Sequence, residues 1–165
     1  MDYKLMKPML TDNKGFTLVE VMVVLILLTL SFMVFLHALN TGKTIRANSE
    51  IRTVQSVILS SIQNEIRARR YDENLSSPWS SLLGKELGEY EIKEFDDIDD
   101  FNGYFEPSFT DYPAFSCSVA VEYVSPTTGF HIPQSSQTNY KSIMVKVSHP
   151  TLSSISDTMI ISPGI

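Results

Sequence analysis

The sequence predicts an α+β chain: one long N-terminal helix, membrane-spanning in its lower half, packed through its upper half on a small antiparallel sheet. Three observations predict it. The run from Val21 to Leu36 carries no charge. Beyond it, apolar residues recur every three or four positions as far as Ile66. From Ala114 onward the period changes to two, the spacing of a half-buried strand.

Phe16 to Leu36 is 21 residues. As a helix these rise ~31 Å, about one hydrocarbon core. The run exceeds the ~7–15-residue apolar region of an ordinary secretory signal, and no A-x-A pattern follows. Its exit reads Leu36-His37-Ala38-Leu39-Asn40. An uncleaved signal anchor remains the alternative. Glu20 is the single charge in this segment. A carboxylate in a membrane helix costs ~2.5–3.5 kcal/mol at mid-bilayer and less near the interface, which makes Glu20 a functional candidate. Residues 1–15 carry Lys4, Lys7 and Lys14 against Asp2 and Asp12, a weakly basic balance that suits a cytoplasmic N-terminus. Lys43, Arg46 and Arg52 beyond the helix blur the positive-inside signal.

The run Lys14-Gly15-Phe16-Thr17-Leu18-Val19-Glu20 resembles the class III signal of type IV pilins and type II secretion pseudopilins. Glycine, phenylalanine, glutamate and the apolar run all fall in register over residues 14–36. The resemblance implies that a prepilin peptidase cuts between Gly15 and Phe16 and N-methylates Phe16. Glu20 then becomes the fifth mature residue, placed to pair with the Phe16 amine of a neighbouring subunit and to fix the axial register of one helix on the next. Other pilin or pseudopilin subunits, an inner-membrane assembly platform and the lipid bilayer are the implied partners. The chain departs from many major pilins in having no glycine or proline between Phe16 and Thr41. His37 stands where proline is common in them. It also lacks their C-terminal disulfide loop, because Cys117 is its one cysteine. These departures favour a minor subunit.

The expected divisions are a leader at 1–15, a transmembrane half-helix at 16–37, an amphipathic half-helix at 38–70 and an outer domain at 71–165. Removing the leader takes Lys+Arg from 13 to 10 and Asp+Glu from 19 to 17, a mature net charge of about −7. That balance argues against binding nucleic acid through phosphates. The residues after the anchor suffice for one small domain.

Leu39 to Arg70 reads as a continuation of the helix, with Ile51, Val54, Ile58, Ile62 and Ile66 as its apolar stripe and Gln55 and Gln63 among the polar company. Gly42 is a candidate weak point. A short helix is expected after Pro78, through about Leu83, and a short strand at Tyr90 to Lys93. Asp96, Asp97, Asp99 and Asp100 form an acidic, turn-rich run. Hard cations such as calcium favour clustered oxygens, and some pseudopilins hold calcium in a surface loop. The spacing does not fit an EF-hand, and the preferred reading is a solvated loop with no cofactor.

Phe115, Cys117, Val119, Val121 and Tyr123 share one face of a strand. Pro126-Thr127-Thr128-Gly129 marks a turn. Tyr140 to Val147 alternates again, Pro150 ends it, and Ser156 to Ile161 makes a last strand. Short connections imply antiparallel pairing. Cys117, at an inward position, reads as a buried apolar residue rather than a reactive thiol. No catalytic pattern is present. His37, His131 and His149 lack metal-ligand spacing, no serine sits in Gly-x-Ser-x-Gly, and no phosphate-binding glycine loop occurs. The chain reads as the substrate of an enzyme rather than an enzyme.

Overall fold

The computed structural model describes residues 15–164. The basic leader, up to Lys14, lies outside them. Helix α1 is Leu18–Arg67, followed by a single 3-10 turn at Asp99–Phe101 and four strands. These are β1 (Phe105–Glu106), β2 (Ser116–Tyr123), β3 (Lys141–His149) and β4 (Leu152–Ile161). They form one antiparallel sheet in the order β1-β2-β3-β4. The chain divides into two units, Met1–Ile45 and Arg46–Ile165.

In the first unit every described side chain is exposed. Residues with no turn-breaking chemistry and a nearly unbroken apolar surface can satisfy their backbone only within the helix, which is what a bilayer demands. Thr29 donates its hydroxyl to the Ile26 carbonyl at 2.8 Å, the expected local bond within its own helix. Gly42 lies inside α1 and is helical.

In the second unit the predicted stripe packs on the sheet. Ile58, Ile62 and Ile66 are buried, and Ile51 and Val54 are half-buried against the same core. The inward faces of β2 and β3 meet them in the predicted parity, with Cys117 opposite Val147, Val119 opposite Val145 and Val121 opposite Ile143. Each fully buried aliphatic side chain contributes ~1.5–3 kcal/mol through loss of water contact. Gln55 and Gln63, expected among the polar company, are buried. They clamp the helix to the sheet's far hairpin: Gln55 Nε2 donates to the carbonyls of Val147 and Ser153, and Gln63 Nε2 donates to Asp157. Arg52 adds bonds of 2.7 Å to the Ser153 carbonyl and 2.6 Å to its hydroxyl.

Several expectations are corrected. The helix ends at Arg67, not Arg70, because Arg70 instead bridges to Asp97 and gives its carbonyl to Ile98. No helix follows Pro78. The Ser80 N–H and hydroxyl are both committed to Asp72, so Ser80 cannot enter a helical ladder. Tyr90 to Lys93 turns instead of extending, because the Glu94 carboxylate accepts the N–H groups of Tyr90 and Glu91 at 2.8 and 2.9 Å. β4 begins at Leu152, four residues before the expected start. A bulge at Val147/His149 tightens the hairpin and pairs His149 with Leu152. At the expected turn, Gly129 adopts φ +101° and its N–H bonds the Ser125 carbonyl.

Cys117 is 1 % exposed. Burial first, and the charge of Glu106 second, push its thiol up to about 11. At pH 8 the thiolate is then about one part in a thousand. Iodoacetamide should leave the native protein unmodified over an hour and label it fully in denaturant. Comparable labelling in both states would mean that the sheet opens readily at Cys117.

Candidate functional site

The N-terminal site is built by the start of α1. Gly15, Phe16 and Thr17 are non-helical, and the Thr17 hydroxyl accepts the Glu20 N–H at 3.2 Å. Thr17 is therefore the N-cap and Glu20 the third helical residue, the spacing of a capping box. This places the Glu20 carboxylate one helical turn from Phe16. Phe16, Glu20, Val21, Val24 and Leu25 line one shallow apolar groove. Phe16 is 82 % exposed, and among the described residues no ion pair reaches Glu20. Among the described residues the site is a carboxylate on the exposed, apolar first half of α1.

The acidic run is not a solvated loop. Asp97, Asp99 and Asp100 are at most 1 % exposed. The apolar residues between them explain why: Phe95, Ile98 and Phe101 are core side chains and carry their acidic neighbours inward. Phe95, Phe101 and Tyr104 pack edge to face, with Phe95 and Phe101 5.0 Å apart. The four aspartates do not converge. Asp96 turns outward to Arg70. Asp99 faces Lys141, and Asp100 accepts the N–H groups of Asp96 and Asp97.

Lys141 is the centre that pattern reading missed. It is fully buried, and its ammonium donates to Asp99 at 3.0 Å, to Asp72 at 3.1 Å and to the Tyr71 carbonyl at 2.6 Å. The rings of Tyr71 and Tyr123 lie 4.5 and 5.5 Å from it. Asp72 also takes the Ser80 and Asn74 N–H groups. Burial pushes Asp72 up, but those N–H bonds and Lys141 outweigh it and hold the carboxyl below its ordinary value. Asp97 shows the opposite balance. Burial, then a hydrogen bond with Asp99 and the charge of Asp99, push it up to about 9, so it is held as a neutral acid. A signal was present in the sequence: Lys141 has the same parity as Ile143, Val145 and Val147, the buried face of β3.

The Lys141 centre links four segments of the outer unit and has the features of a structural hub. The N-terminal site, by contrast, is exposed. A family model, described as the prokaryotic N-terminal methylation motif, matches residues 10–36. No curated protein and no solved structure matches the chain. α1 is long and apolar enough to cross a membrane, and with this motif it fits a single-pass inner-membrane anchor. The chain carries the prokaryotic N-terminal methylation motif, the signature of type IV pilins and pseudopilins, on an α+β pilin-like fold.

Proposed function

We propose that this chain is a minor pilin-like subunit of a type II secretion or type IV pilus machine. Its work is mechanical. A prepilin peptidase removes residues 1–15 by cutting between Gly15 and Phe16 and methylates the new amine. Residues 16–37 hold the subunit in the inner membrane, the outer domain lies in the periplasm or in an extracellular filament, and an assembly platform extracts the subunit into a short filament or its tip. Glu20 pairs with the Phe16 amine of a neighbouring subunit and fixes its register. The observation that carries this reading is the Gly15–Phe16 junction set directly before a capped helix whose apolar first half carries Glu20 as its one carboxylate. The lack of a helix break and the burial of the one cysteine favour a minor subunit over a major one. The motif suggests a structural subunit rather than an enzyme.

Intact mass of protein purified from its native membrane tests the processing step. The expected mass lacks Met1 to Gly15 and gains one methyl, ~14 Da. A full-length mass, in cells whose peptidase is active, would return the reading to a signal-anchored domain that does not polymerise. If processing holds, deletion phenotypes in secretion, adhesion or DNA uptake separate the machines.

A further inference from the structure

The core of the outer unit holds more carboxyl groups than its cations can balance. Among the described residues Asp72, Asp97, Asp99 and Asp100 are at most 2 % exposed, and Lys141 is the one buried cation. Asp72 and Asp99 share its ammonium. Asp100 has two backbone N–H groups on its Oδ2. Asp97 has the least support. Its Oδ1 accepts the Asp99 N–H at 2.9 Å, and no ion pair reaches it. A carboxyl so placed is far less costly to bury as the neutral acid than as the anion.

Asp97 Oδ2 and Asp99 Oδ2 are both buried, and neither accepts from a protein donor. Buried carboxylate oxygens without a donor call for a cause. The two side chains lie within hydrogen-bond reach of each other. One proton between them satisfies both oxygens at once, with Asp97 as donor and Asp99 as acceptor. Asp99 is the member that keeps its charge, because the Lys141 ammonium lies 3.0 Å from its Oδ1. The other charges around the pair come from three directions. Asp100, on the same turn, works against ionising Asp97, and Lys141, on β3, works for it. Past the end of α1, Arg70 bridges to Asp97 through its backbone but turns its guanidinium to Asp96, and Arg69 engages Glu65. The Tyr71 and Tyr123 hydroxyls, beside the ammonium, are pushed above their ordinary value by burial and then by Asp72 and Asp99, so they stay neutral.

We propose that Asp97 and Asp99 form a proton-sharing pair, and that the outer unit takes up this proton as it folds. In the unfolded chain Asp97 releases its proton near pH ~4. In the folded unit, burial and then Asp99 hold it there up to about 9. Between those values the unfolded state binds fewer protons, so stability falls as pH rises, by up to roughly tenfold in the folding constant per pH unit. Below that window both states are protonated, and above it both are ionised, so the effect levels off at each end. Asp72 acts in the opposite sense, because the fold needs its charge. The outer unit is therefore best held between the two, in mildly acidic surroundings. For a domain lying outside the inner membrane, as proposed above, the pair makes the more acidic side of an energised membrane the more favourable one for folding. The pair itself draws on nothing in the N-terminal motif, so it stands or falls apart from that reading.

The test is urea unfolding of the full chain in detergent micelles at about pH 5 and about pH 8, followed by Trp79 fluorescence, for the wild type and Asp97→Asn. Asparagine can accept the Asp99 N–H and donate to Asp99 Oδ2 as the neutral acid does, but it has no proton to titrate. The ratio of the two unfolding constants is expected to change by roughly a hundredfold or more between the two pH values, the wild type losing ground as pH rises. Glu122→Gln, on the exposed face of β2, should keep a constant ratio to the wild type. A second measurement needs no variant: the carbon-13 shift of the Asp97 carboxyl, assigned through the backbone, should be that of a protonated acid at about pH 7. A wild-type to Asp97→Asn ratio that does not change with pH overturns the inference. So does an Asp97 carboxyl ionised at about pH 7, which decides alone if Asp97→Asn does not fold.

Discussion

Glu20→Ala is expected to leave the subunit in the membrane at its normal level and to reduce its recovery in filaments or cross-linked subunit complexes by roughly tenfold or more. Membrane level should not fall, because removing a carboxylate from an apolar helix lowers the cost of insertion. Assembly should fall, because the partner's Phe16 amine then enters low dielectric without a counter-charge. A cation buried without its partner costs several kcal/mol, more than a net hydrogen bond contributes. The competing account is local. Glu20 is also the third residue of a capped helix, so its loss could act by fraying α1. Glu20→Gln separates the two. Glutamine serves in a capping box as glutamate does, but carries no charge. The register reading expects Gln to fail nearly as badly as Ala and Asp to recover part of the assembly. Full assembly with Gln would reduce Glu20 to a helix cap.

The parts of the fold written as periodicity were legible. The 3.6-residue stripe of α1 and the two-residue alternation of β2 and β3 each place a run of side chains on one face, and burial followed that placement. The N-terminal motif was legible because it is local: glycine, phenylalanine and glutamate are recognised by their spacing at one helix start. Residues 71–112 were not, because side-chain bonds to the backbone and burial of scattered apolar residues override their local propensities. Ser80 is taken from a helix by Asp72, and Asp97, Asp99 and Asp100 are drawn inward by Phe95, Ile98 and Phe101. Gln55 and Gln63 look like surface residues until β3 and β4 supply their acceptors.

Lys141→Met should cost about 3–5 kcal/mol, a large share of the ~5–15 kcal/mol that holds a domain together. Methionine matches the volume, so packing changes little. The loss comes from what remains: Asp72 and Asp99, 2 and 1 % exposed, keep their carboxylates and lose their common cation. Trp79 is the sole tryptophan, and its ring lies 4.9 Å from Tyr71, whose carbonyl accepts from Lys141. Its fluorescence in denaturant therefore reports on this centre. The triple variant Lys141→Met/Asp72→Asn/Asp99→Asn should regain much of the loss, because a buried ion cluster replaced as a whole is often nearly neutral, whereas one broken in part is not. Acid gives a second readout. Asp72 is held below its ordinary value in the folded state, so its contribution is complete above about pH 4 and lost as pH falls through the lowered value. The triple variant should lack that component of the acid transition. If Lys141→Met unfolds at the wild-type denaturant concentration, the hub contributes nothing net, and the buried lysine would need another reason to be there.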